Sequence, residues 1–170
     1  MRSFIGVRTN VKWGSCMKIT EPVTMITDYA LAALAIVLGM RLWGPEWQST
    51  PVTLWAVGFY VSASAALTGG TFHGFASLLG EGTRTLLWNI TVFQIGLGSG
   101  FMIAGAAVSP IGWSDGATAW LLAGLGFAVL GLAIQQSGWK LHQHLNHNDI
   151  SHLVQMGALT FFYVGASMIG

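Results

Sequence analysis

Residues 117–138, ATAWLLAGLGFAVLGLAIQQSG, run from Ala117 to Gly138 without one charged side chain. At about 1.5 Å per helical residue, such a run crosses a hydrocarbon layer of about 30 Å. It therefore reads as a membrane span, and four further uninterrupted apolar runs accompany it at 24–43, 52–73, 86–108 and 151–169. Breakers separate them. Gly44, Pro45 and Pro51 stand in the first connection, Gly80 and Gly82 in the second, and Pro110 and Gly116 in the third. The expected fold is all-α, a five-helix transmembrane bundle built up and down from antiparallel neighbours.

Composition agrees with this reading. The 170 residues are 53% hydrophobic and only 8% charged, against about 25% charged in soluble domains. Seven Lys/Arg and six Asp/Glu cannot clothe a water-soluble globule of this length. Residues 1–22 lack the order of a cleavable signal peptide and read as a cytoplasmic arm, with 23–170 as the membrane domain. Arg2, Arg8, Lys12, Lys18, Arg84 and Lys140 fall on the same side as the N-terminus and only Arg41 on the other. This bias predicts an N-in, C-out orientation, in a bacterial inner membrane. Eight Trp, mostly near span ends, read as an interfacial belt. Gly96 and Gly100, with Gly124, Gly126 and Gly131, are expected to let helices three and four pack closely.

Ionisable groups inside a span are expensive, and three lie there: Asp28, His73 and His152. With alternating helix directions, all three come to the cytoplasmic leaflet, together with Asn89 and Gln155. Asn148, His152 and Gln155 share one helical stripe, with Asp149 on a neighbouring line and Thr24 in the stripe of Asp28. The expected product is a polar pocket lined by Asp28, His73, Asn89, Asn148, His152 and Gln155. Asp28 alternatively pairs within the bundle, with His152 or Arg84. The single Cys16 excludes a multi-cysteine metal site. Imidazoles with a carboxylate suit zinc held by three protein ligands with a water in the fourth position. In that arrangement His73 and His152 bind zinc with Asp28 or His147, Asp28 acting at the water. Asn148 or Gln155 would donate to an oxyanion or orient an imidazole, with Asn89 beside them.

The segments Gly69-Gly70-Thr71-Phe72-His73-Gly74 and His147-Asn148-Asp149-Ile150-Ser151-His152, with Thr27-Asp28, resemble a family of uncharacterised small membrane proteins with GxxxHG and HNDxxH patterns. More remotely the chain resembles the CREST superfamily, which includes alkaline ceramidases and the progestin and adipoQ receptors. That resemblance implies zinc on His73 and His152 and hydrolysis of a lipid amide. The superfamily's HxxxH has Asn148 at its first position here, and its early-helix Ser is Gly69, so Asp28 or His147 would complete the donor set. Three functions follow as expectations. The first is a zinc-dependent hydrolase of a lipid amide or ester. The second is a non-enzymatic sensor, transporter subunit or ligand-binding bundle that responds through His. The third is a haem b protein with His73 and His152 as axial ligands. Membrane lipid is the expected partner, with no nucleic acid and with homo-oligomerisation open.

Overall fold

The computed structural model describes residues 19–44, 49–110, 116–138 and 145–169. These form five helices: α1 (Pro22–Leu42), α2 (Thr50–Phe75), α3 (Glu81–Ala107), α4 (Gly116–Ser137) and α5 (His147–Ser167). Among the described residues there is no strand, so the all-α expectation holds. Proline opens α1 and α2 within their first turns, where its missing N–H would have no helical partner anyway. The first four helices are long and apolar enough to cross a membrane. At 21 residues α5 has the length as well, and its lower apolarity comes from His147, Asn148, Asp149, His152 and Gln155. Arm residues 1–18 and loop residues Lys140, His142 and His144 lie outside the described set.

Sequential antiparallel packing holds for α1 with α2, α2 with α3, and α4 with α5. It breaks between α3 and α4. Instead α1 packs on α5, so the first and last helices lie side by side at the centre while α3 and α4 occupy opposite flanks. The reason is chemical: Thr24 and Asp28 of α1 are buried against Asp149 and His152 of α5, with which they pair.

Each flanking helix is attached along one narrow line of small residues. In α3 the buried positions include Thr91, Gly98 and Gly105, and in α4 they are Ala117, Gly124 and Gly131, each series spaced by seven. A methyl placed on Gly98 would stand 3.2 Å from the Gly58 carbonyl oxygen, and one on Gly105 would stand 3.0 Å from that of Pro51. On the other flank a methyl on Gly165 would stand 3.2 Å from the Ala117 carbonyl. The Ser151 hydroxyl donates to the Gly131 carbonyl at 2.9 Å. Backbones approach this closely in lipid because small residues permit it. Gly96, Gly100 and Gly126 do not share in these seams, since a Cβ on any of them meets nothing within 4 Å. The expected packing role holds for Gly124 and Gly131, which face α5, and is corrected for the others: α3 faces α2 along Gly98 and Gly105 instead of Gly96 and Gly100, and Gly126 meets no neighbour.

The bundle has one apolar end and one polar end. Leu38, Leu42, Val52, Trp55 and Phe59 form the core of α1 and α2 toward the α1–α2 connection, joined by Met102 and Ala166. Trp55 is buried at 3% exposure and packs on Phe162, so it belongs to the core rather than to an interfacial belt. Trp43, Trp88 and Trp120 are exposed, as the belt requires.

Candidate functional site

The polar end is organised by the start of α5. The Asn146 side-chain oxygen accepts from the backbone N–H groups of Asn148 (2.8 Å) and Asp149 (3.2 Å), while Asp149 Oδ2 accepts from the Asn146 N–H at 2.8 Å. This capping box begins the helix at His147, four residues before the apolar run, because three otherwise unpaired backbone donors are satisfied there. The other Asp149 oxygen accepts from the Thr24 hydroxyl at 2.7 Å, and Asn146 Nδ2 donates to Thr24 Oγ1 at 3.3 Å. At 1% exposure, Asp149 fastens α5 to α1. Asn146→Ala is expected to destabilise the protein by about 1 kcal/mol, within the range for a lost N-cap, as measured by denaturation in detergent.

One turn further, His152 Nε2 lies 3.3 Å from Asp28 Oδ1, both side chains being more than nine-tenths buried. His152 Nδ1 lies 3.0 Å from Thr27 Oγ1. The Thr27 hydroxyl also lies 3.0 Å from the Thr24 carbonyl, to which it donates. A hydroxyl has one proton and a carbonyl can only accept, so Nδ1 carries the hydrogen it gives to Thr27. What remains between Nε2 and Asp28 Oδ1 is then a single acidic proton. Held by either atom, it gives a neutral acid with a neutral imidazole, or a carboxylate with an imidazolium. Without it, a lone pair would face a carboxylate in a medium that tolerates neither.

Asp28 Oδ2 is buried and has no hydrogen-bond partner. It faces Gly69, where an added methyl would stand 3.6 Å away, and Gly70 brings α2 so close that a methyl there would lie 3.0 Å from Asp28 Cβ. The paired glycines of GGTFHG thus seat α2 against the carboxylate. His73, one turn on from Gly69, is bonded to the chain entering α1. Its Nδ1 lies 3.0 Å from Glu21 Oε2, at 15% and 43% side-chain exposure respectively. Backbone bonds from Thr20 N–H to Gly74 O (2.9 Å) and from Glu21 N–H to His73 O (3.1 Å) hold the chain across the end of α2.

The remaining expected members disperse. Asn89 is exposed on α3, and the buried residue near it is Thr91, whose hydroxyl bonds Thr68 at 2.9 Å. Gln94 joins this pair, its Oε1 3.0 Å from Thr68 Oγ1 and its amide donating to Ser64 at 2.8 Å. Gln155 donates to Ser151 at 3.0 Å, toward α4. Asn148 is half-buried at the first turn of α5, and His147 Nδ1 is buried without a partner. Glu21 was missed in the sequence, and Thr27 entered only as part of the Thr27-Asp28 motif, without a role.

A family model of unknown function, DUF6962, matches residues 23–115 and 113–170, covering all five helices. The chain belongs to DUF6962. No curated protein and no solved structure matches it. The DUF6962 match takes in Thr24, Asp28, His73, Asp149 and His152, and begins just after Glu21.

The donor set of this DUF6962 chain can be compared with what a metal requires. A catalytic zinc takes three protein ligands. Among the described residues no group of three or more His, Cys, Asp or Glu is placed to hold a metal ion. His152 has both ring nitrogens engaged, with Thr27 and with Asp28. His73 is held by Glu21 and His147 lies five residues before His152 on its helix. Among the described residues, the arrangement does not make the three-ligand set that a catalytic zinc requires.

Proposed function

We propose that this protein is a non-enzymatic, proton-responsive membrane component, a sensor or a transporter subunit, in which the Asp28–His152 pair takes up and releases one proton. The observation that carries this reading is the committed hydroxyl of Thr27. It fixes the hydrogen on His152 Nδ1 and leaves one acidic proton between two buried atoms of adjacent helices. Histidine is the side chain whose charge changes near physiological pH, and ionisable groups within spans commonly serve proton relays. Loss of that proton separates α1 from α5 electrostatically, which couples protonation to helix packing. The charge bias of the sequence supports a bacterial inner membrane with the polar end toward the cytoplasm.

A zinc-dependent lipid hydrolase is supported by the residue types of His73, His152 and Asp28, and not by their geometry. The two readings separate in one preparation. Full-length protein in lipid nanodiscs, titrated between acid and alkaline pH, is expected to show an infrared carboxyl band of a buried acid, distinct from those of the exposed carboxylates. Asp28→Asn should remove it, and His152→Gln should shift its midpoint. About one equivalent of zinc in the purified protein, lost in His152→Ala, would overturn the proton reading in favour of the hydrolase.

A further inference from the structure

We infer that the Asp28–His152 pair exchanges its proton with one face of the membrane only, through the Glu21–His73 pair. This rests on the proton-responsive reading above. Pro22 opens α1, so Asp28 lies six residues in, about 9 Å from that end of the bundle. Glu21 is the N-cap residue of α1, seven positions before Asp28 and nearer that end. His73 stands one turn nearer it on α2, beyond the Gly69 that seats the carboxylate. The two side chains are in contact at 3.0 Å, and Glu21 is 43% exposed, so they join the outside to the two helix faces enclosing Asp28.

Among the described residues, Tyr29 on α1 is bonded to Thr71 Oγ1 at 3.2 Å, and His147 opens α5 with its Nδ1 buried and unpartnered, five residues before His152. From α5, Asp149 faces the same region, but both its oxygens already accept, from Thr24 and from the Asn146 N–H. From α3, Thr91 is the buried residue, while Glu81 and Arg84 are exposed. Toward the opposite membrane face, the space between α1 and α2 is filled by Leu38, Leu42, Val52, Trp55 and Phe59. An apolar plug holds no chain of donors and acceptors along which a proton moves. The unpartnered Oδ2 of Asp28, on the side of α2, is the acceptor that meets a proton arriving past His73.

The test uses full-length protein in sealed vesicles, with orientation set by protease access to a C-terminal tag. Acid is added to one side, and the Asp28 carboxyl band is followed in time. Acid on the side of the Glu21–His73 end is expected to change the band promptly. Acid on the other side should change it only as the gradient collapses. Glu21→Gln and His73→Gln should each slow the prompt change tenfold or more, while full protonation of Asp28 is still reached at sufficiently acid pH. Access from the opposite side, equal access from both, or unchanged rates in both variants would overturn the inference and leave the proton reading standing. A band that never responds to pH would overturn both.

Discussion

His152→Ala is expected to destabilise the folded protein by about 3–5 kcal/mol, the cost of removing one partner from a buried ion pair. The argument starts from Asp28, whose Oδ2 already lacks a hydrogen-bond partner inside the bundle. Taking away the imidazole strips Oδ1 as well, and leaves Thr27 without the hydrogen it receives from Nδ1. No described side chain stands ready to replace it, and the glycines at 69 and 70 hold α2 against the carboxylate, so relaxation is limited. Tryptophan fluorescence during SDS titration measures the loss. The paired substitution Asp28→Ala/His152→Ala should cost clearly less than the two single changes added together, because the second removal relieves a defect that the first created. Costs additive to within about 0.5 kcal/mol would show that the two residues do not act as a pair.

Gly98→Leu is expected to open the α2–α3 seam, at a cost of about 1–3 kcal/mol or more. Even one methyl at position 98 would stand 2.9 Å from Ser62 Oγ and 3.2 Å from the Gly58 carbonyl oxygen. The serine can rotate; the carbonyl belongs to the facing helix and cannot. Since α3 has its main attachment to α2 along this line, separation there also strains the Thr68–Thr91–Gln94 contacts one turn and more away. Gly96→Leu and Gly100→Leu provide the comparison, because both positions open onto empty space. Each should stay within about 0.5 kcal/mol of the parent protein in the same titration. Equal losses at 96 and 98 would mean that α3 presents a different face to α2.

Hydropathy made the helices legible because lipid leaves a long apolar run one satisfactory conformation. It also made Asp28 and His152 legible, since an ionisable group in a span needs a partner and few were available. Hydropathy says little about azimuth. Asn89 and Thr91 are two residues apart and therefore about 200° apart around α3. The expected pocket took in the exposed Asn89 when the buried position was Thr91. Gln155 shares a stripe with His152 by spacing, yet the Ser151 hydroxyl draws it toward α4. Glu21 was hidden for another reason: it stands outside the apolar runs, in a polar stretch where neither periodicity nor burial specifies a partner. The acidic partner of His73, Glu21, accordingly lies on the segment leading into α1. The zinc expectation came from residue types and from resemblance, and neither of these encodes whether both nitrogens of an imidazole are already engaged.

The contact between the first helix and the last also constrains how the protein is made. Asp28 and its neighbours on α1 are satisfied by α5 residues; Thr24 and Thr27 find their partners 125 positions later in the chain. At a synthesis rate of roughly 5–20 residues per second, α1 waits roughly 6–25 seconds for them. During that interval a carboxyl group sits in a newly inserted helix with no imidazole beside it. The insertion machinery must therefore keep α1 in a hydrated or proteinaceous environment until α5 emerges, and a ribosome stalled before residue 147 would leave α1 prone to slip back out of the bilayer.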